Sequence, residues 1–271
     1  MYMAIKFGWI SSNLLKFNNT ADDIQTLNLS ALNGIYDVCA ISFALYPKIY
    51  ENYALLRTAV SFGEGYGPKL IKKKGTKLKP NFKVALSGEH TTNAMIFRLA
   101  YPNARIIYKN FLEIENAVLS GEADAGVLIH ESILDFSPEL VVEREIWDIW
   151  CEFNGENLPL PLGGMALRRS LPLTDAIECE RVLTNAVAVA HKNKALLSKM
   201  LIERNLVRVD DKKLEIYLGL YANENSISMN ETQLKAVQKL FDLGYEHGFY
   251  SEQICVKDML IPTEYSEIRN S

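Results

Sequence analysis

Lys83-Val84-Ala85-Leu86-Ser87-Gly88, Ala94-Met95-Ile96-Phe97-Arg98-Leu99-Ala100-Tyr101, Arg105-Ile106-Ile107-Tyr108, Leu112 to Ser120 and Ala125-Gly126-Val127-Leu128-Ile129 follow one another inside the span Lys83 to His130. The first is a short apolar run ended by Ser-Gly. Thr91-Thr92-Asn93 supplies capping residues for the second, which reads as a helix stopped by Pro102. The third is strand-like. In the fourth, Ile114, Ala117 and Val118 share a helical face, with Gly121 placed as the C-terminal cap. The fifth is continuously apolar, as expected of a strand covered on both faces. Strand, helix, strand, helix, strand implies parallel strands joined by right-handed crossovers, an α/β unit.

Outward from this unit the pattern is less regular. Met3 to Ile10 suits a helix. Ala21 to Leu29 contains a strand candidate, Tyr36 to Phe43 is a second and Tyr53 to Phe62 a third. Gly63, Gly65 and Gly67 have the wrong spacing for a dinucleotide loop, and Pro68-Lys69-Leu70-Ile71 reads as extended, so a bend between strands is expected there. Lys72 to Pro80 is basic, carries Gly75 and Pro80, and reads as a solvated connection. A second break lies at Asn157 to Gly164. Beyond it the chain is mostly helical, with a capping-box pattern at Ser228-Met229-Asn230-Glu231 and an apolar stripe over Leu234, Val237, Leu240, Phe241, Gly244 and Tyr245. Two breaks divide the chain into a discontinuous outer α/β lobe, residues 1-74 and 165-271, and an inserted α/β lobe, residues 75-164. A ligand cleft between them, facing the carboxyl ends of the strands, is the expected site.

Composition excludes several functions. Of 271 residues, 48% are hydrophobic and 23% charged, which is ordinary globular usage. With 29 Lys and Arg against 33 Asp and Glu the net charge is -4, so neither nucleic acid nor an anionic membrane surface is an expected partner. The apolar runs are far too short to span a bilayer. No two of Cys39, Cys151, Cys179 and Cys255 form a C-x-x-C. Scattered thiols, and an amino terminus without a secretory pattern, lead us to expect a cytoplasmic protein. The Asn-x-Ser/Thr triplets at Asn18, Asn28 and Asn230 then read as chance matches. No H-x-x-x-H, H-E-x-x-H, P-loop or G-x-S-x-G pattern occurs, and neither a metal nor a cofactor is expected.

Candidate site residues carry two readings each. His130 follows the apolar run 125–129, so it would sit at the cleft rim and could move a proton near neutral pH; it could equally hydrogen-bond a loop. Glu131 is near enough to orient it, although adjacent strand residues point to opposite faces. The segment Ser87 to Thr92 joins a strand to a helix start, where amides and hydroxyls can receive a carboxylate; Thr91 or Thr92 could instead simply cap the helix. Ser42 ends an apolar run and could bond a ligand or local backbone. Gly163-Gly164 could bare backbone to a ligand or act as a hinge. His90 reads as a loop residue, His191 and His247 as surface groups, and Trp147 and Trp150 as core.

Several segments, in this order, resemble one enzyme family. They are Asp37 to Tyr46, Gly65-Tyr66-Gly67-Pro68, Thr91-Thr92-Asn93-Ala94, Gly121 to Glu131 and Leu160-Pro161-Leu162-Gly163-Gly164. Together they resemble 1,4-dihydroxy-6-naphthoate synthase, an enzyme of the futalosine route to menaquinone. The likeness covers nearly the whole chain, and Ile129-His130-Glu131 and Pro161-Leu162-Gly163-Gly164 carry most of it. It implies a two-lobed fold like type II periplasmic binding proteins and a lyase acting on cyclic dehypoxanthinyl futalosine, a small-molecule carboxylate. It also implies that His130 is the general base, that Ser42, Thr91 and Thr92 contact the substrate, and that no cofactor is needed; Gly163 and Gly164 join the expected binding set. Two other functions remain open: a solute-binding protein of a transport system, sharing the fold, and chorismate dehydratase of the same pathway. The resemblance further implies a strand and a Ser-Pro-rich loop ahead of the first helix. Since Met1-Tyr2-Met3 already lies within that helix, an incomplete first-lobe sheet is expected.

Overall fold

The computed structural model describes residues 1–204, 211–221 and 224–262. The chain opens with helix α1 (Tyr2–Lys6) and helix α2 (Ile24–Leu32). The strand expected over 21–29 is therefore absent, and the reason is local. Asp23 accepts hydrogen bonds from the backbone N–H groups of Gln25 and Thr26, capping a helix start. Ile24, Leu27, Asn28 and Ala31 then fall on one inward face at helical spacing.

Three strands follow: β1 (Val38–Ser42), β2 (Tyr53–Leu55) and β3 (Ser61–Gly63). The single strand expected over 53–62 is split by a turn in which Ala59 has φ of +56°. Strand β4 (Lys69–Lys73) begins the middle unit, with β5 (Lys83–Leu86), α3 (Thr92–Ala100), β6 (Arg105–Tyr108), α4 (Ile114–Ser120), β7 (Ala125–Leu128), β8 (Leu140–Glu145) and α5 (Ile146–Asn154). The chain returns through β9 (Leu160–Arg168) and ends in helices α6 (Leu173–Lys192), α7 (Lys194–Glu203), α8 (Asp211–Tyr221), α9 (Glu231–Glu246) and α10 (Val256–Met259). The capping box of α9 sits two residues later than its sequence pattern suggested. Asn230 accepts from the Gln233 N–H while the Gln233 side chain accepts from the Asn230 N–H.

These strands form two sheets. The middle sheet has the order β6-β5-β7-β4-β8. Its β5–β6 and β5–β7 pairs are parallel, as the 83–130 pattern requires, whereas β4 runs antiparallel to both β7 and β8. Helix α4 packs so closely that a Cβ on Gly126 of β7 would lie 2.5 Å from Ile114 Cγ2. The other sheet is built on β9, with β1 on one side and β2 and β3 on the other, all antiparallel. The chain enters the middle sheet at Lys69 and returns to the other sheet at Leu160. Lys69 falls in the stretch expected to be extended and Lys72 in the expected solvated connection; both lie on β4 and form ion pairs with Glu145 and Glu143 of the neighbouring strand β8.

One apolar core runs through both sheets, from Ile41, Phe43 and Leu45 to Val84, Leu86, Trp150 and Phe241. Among the described residues no helix is long and apolar enough to cross a membrane.

Candidate active site

The carboxyl ends of strands from both sheets converge on a cavity of about 410 Å³. Ser42 closes β1, Ser87 follows β5, and Ile129 and His130 follow β7; the start of α3 and residues 162–165 of β9 complete the wall. All six residues picked from the sequence, Ser42, Thr91, Thr92, His130, Gly163 and Gly164, line this one cavity. No described residue of the lining is Lys, Arg, Asp or Glu. An anionic ligand here would be held by neutral dipoles.

Strand pairing sets the floor. Ser42 lies opposite Gly163, and Ile41 opposite Gly164. A Cβ on Gly163 would stand 2.7 Å from the Ile41 carbonyl oxygen, so close approach of β9 to β1 demands glycine there.

The two threonines use their hydroxyls in the fold. Thr91 caps α3: its Oγ1 accepts from the Ala94 N–H and donates to the Gly88 carbonyl at 2.9 Å, with Asn93 Oδ1 also in close contact. Thr92 Oγ1 donates to the Leu162 carbonyl at 2.9 Å and accepts from the Ala44 N–H at 3.2 Å. It thus pins the start of α3 to β9 and to the turn after β1. What this helix start still offers a ligand is backbone. The N–H groups of Thr92 and Asn93, in the first turn, have no acceptor among the described residues. Thr92→Val would remove the donor to the half-buried Leu162 carbonyl and the acceptor of the buried Ala44 N–H, and is expected to lower stability by about 1–3 kcal/mol. Urea unfolding checks this.

His130 begins a short 3-10 turn, His130–Ile133, with φ of +53°. A non-glycine residue in this left-handed region stores of order 1–3 kcal/mol, a cost that clusters at functional positions. The ring stands edge-on to Phe111, with centroids 5.1 Å apart. Neither ring nitrogen is hydrogen-bonded to a described residue, so Glu131 does not orient the imidazole by a direct bond. Burial holds the His130 pKa below the ordinary histidine value, partly opposed by the carboxylates of Glu131 and Asp23. Near neutral pH the ring is the uncharged form, able to accept a proton.

The other histidines lie outside the cavity lining. His191 is 3.9 Å from Glu224, and His247 follows α9 beside Phe153. His90 contributes its backbone: its N–H donates to Gln25 Oε1 and its carbonyl accepts from Asn28. Trp150 is core, fully buried, whereas Trp147 is partly buried against that core. No three His, Cys, Asp or Glu side chains group as metal ligands among the described residues.

Three groups escaped the sequence reading as individuals. Phe111 sets the His130 ring. Asn28 is fully buried and bonds Ser42. Ser87 Oγ is buried, lines the cavity and has no hydrogen-bond partner among the described residues. A polar residue on the inward face of an amphipathic helix was the available signal for Asn28.

Residues 1–246 match the model of a family described as menaquinone biosynthesis. The 1,4-dihydroxy-6-naphthoate synthase of Thermus thermophilus is 28% identical over 222 residues, 81% of this chain and 80% of that one. The Streptomyces coelicolor enzyme of the same name is 27% identical over 239 residues, 84% and 83% of the two chains. A crystal structure of an Archaeoglobus fulgidus protein superposes with a TM-score of 0.82 at 30% identity, covering 92% of each chain. The alkanesulfonate-binding protein of Xanthomonas axonopodis pv. citri shares the fold, with a TM-score of 0.61 at 12% identity over 86% and 83% of the two chains. The architecture is thus that of periplasmic solute-binding proteins, and a family match over residues 1–246, with two curated enzymes among the relatives, shows that this chain belongs to the menaquinone-biosynthesis family.

Proposed function

We propose that this protein is a 1,4-dihydroxy-6-naphthoate synthase, a lyase that converts cyclic dehypoxanthinyl futalosine to 1,4-dihydroxy-6-naphthoate with His130 as general base. The observation that carries the reading is the imidazole of His130 at the wall of the cavity between the sheets, with neither ring nitrogen hydrogen-bonded to a described residue and with burial lowering its pKa. The substrate carboxylate meets the first-turn amides of α3 and the hydroxyls of Ser42 and Ser87. The helix dipole adds a partial positive charge where no side-chain cation is present. Gly163 and Gly164 allow β9 to run against β1 without side chains intruding. His130 takes a proton, the electron pair it leaves behind expels the sugar-derived fragment, and the remaining skeleton becomes aromatic. Substrate filling the cavity displaces water that would otherwise compete for the base. The free thiols of Cys39, Cys151, Cys179 and Cys255 fit a reducing cytoplasm.

Incubating the purified protein with cyclic dehypoxanthinyl futalosine tests the reading by product mass and absorbance. Release of dihydroxynaphthoate is expected. Recovery of bound, unchanged substrate would instead favour a solute receptor, and loss of chorismate in a parallel assay would favour chorismate dehydratase. Ser87→Ala tests the contact set. Its hydroxyl bonds no protein group, so the melting temperature should hold while KM rises about 2- to 10-fold, the worth of one hydrogen bond. A melting temperature that falls with KM unchanged would remove Ser87 from the site.

A further inference from the structure

Asn28 lies on the inward face of α2, fully buried. Its Oδ1 accepts the Ser42 backbone N–H at 2.9 Å. Its Nδ2 donates to Ser42 Oγ at 3.1 Å and to the His90 carbonyl at 3.4 Å. The partners fix which end of the amide is which. The Ser42 N–H needs an acceptor and the His90 carbonyl needs a donor, so turning the amide over would break both bonds.

This orientation has a consequence for Ser42. One lone pair of its hydroxyl oxygen is occupied by the Asn28 amide hydrogen. Its own hydrogen finds no acceptor among the described residues, and the hydroxyl lines the cavity. The same amide ties β1 to the loop that starts α3, where the Thr92 and Asn93 N–H groups are unoccupied. With no Lys or Arg among the described lining residues, holding an acceptor-rich group draws on several weak dipoles pointing the same way.

We infer that Asn28 is a positioning residue, which fixes the Ser42 hydroxyl as a hydrogen-bond donor into the cavity and sets its spacing from the amides that open α3. The inference rests on the reading of this cavity as the substrate site.

Asn28→Asp is the informative variant. It keeps the size of the side chain and an oxygen for the Ser42 N–H, but it turns an oxygen instead of an N–H toward Ser42 Oγ. The serine hydrogen then points to the carboxylate and is withdrawn from the ligand. With cyclic dehypoxanthinyl futalosine as substrate, KM should rise about 10-fold or more, as for loss of a hydrogen bond to a charged group, while kcat changes much less. The double-mutant cycle uses the neutral change Asn28→Ala, which puts no charge near the substrate carboxylate: in a Ser42→Ala background it should raise KM clearly less than it does when Ser42 is present, because most of its effect runs through that hydroxyl. A wild-type KM in the variant, or an equal penalty with and without the Ser42 hydroxyl, overturns the inference. Absence of turnover by the wild-type protein is a different result: it overturns the reading of the site, and this inference with it.

Discussion

His130→Asn is expected to lower kcat about 10²- to 10⁴-fold, the range assigned to one positioned general base, while KM and the melting temperature stay near wild type. Asparagine suits the replacement for two reasons. It tolerates the left-handed backbone of this position better than most residues, so the turn after β7 survives. It keeps a polar group at the cavity wall but cannot take a proton near neutral pH. Single-turnover kinetics with cyclic dehypoxanthinyl futalosine would separate the chemical step from binding. A variant with near-normal kcat would show that the proton goes elsewhere.

The pH dependence of the wild type follows from the same ring. On the proposed reading the base is the neutral imidazole, and burial disfavours its charged form, so kcat/KM should rise from acid pH and level off through a pKa below the ordinary value of about 6.5. Stability shares this sign. The folded-state pKa lies below the unfolded one, so between the two the unfolded chain binds more protons. The contribution of His130 to stability is therefore complete above the unfolded value and declines as pH falls toward the folded one. The acid limb should be missing from the residual activity of His130→Asn.

Trp150→Ala is expected to destabilise the protein by about 3–5 kcal/mol, measured by denaturant unfolding. Trp150 is fully buried on α5, within the core shared by both sheets. Truncation removes most of a large apolar side chain and leaves a void that close-packed neighbours fill only in part. It also strips the Leu158 carbonyl of the Nε1–H it accepts at 2.8 Å. That carbonyl belongs to the segment leading into β9, the strand that holds Gly163 opposite Ser42. Loss of the anchor should therefore raise KM as well as lower stability. A loss below about 1 kcal/mol would mean that the core closes over the gap and that the connection into β9 is held by something else.

The sequence was most informative where neighbouring residues decide the conformation. Capping threonines ahead of α3, Pro102 after it, Gly121 in the left-handed region after α4 and the unbroken apolar run of β7 are local signals, and the span 83–130 folds accordingly. The same locality put Ser42, Ser87, Thr91, Thr92 and His130 at strand ends or a helix start, and all five line the cavity. Local signals misled at 21–29, where apolar content suggested a strand and the Asp23 cap made a helix, and at Lys72 of β4, whose charge suggested solvent and whose partner lies on β8.

Which of the site hydroxyls remain available to a ligand could not be read from the chain. Thr91 and Thr92 carried two readings in sequence, binding or capping; their hydroxyls are engaged by Gly88, Leu162 and backbone N–H groups, while the Ser87 and Ser42 hydroxyl hydrogens find no acceptor among the described residues. Asn28 entered the sequence reading only as the head of a triplet, and its role depends on contacts with residues 14 and 62 positions away. Residue type and spacing therefore determined which segments reach the cavity. The availability of each polar atom there was decided by the tertiary structure, because a hydrogen bond depends on partners that only the packing of both sheets brings within about 3 Å.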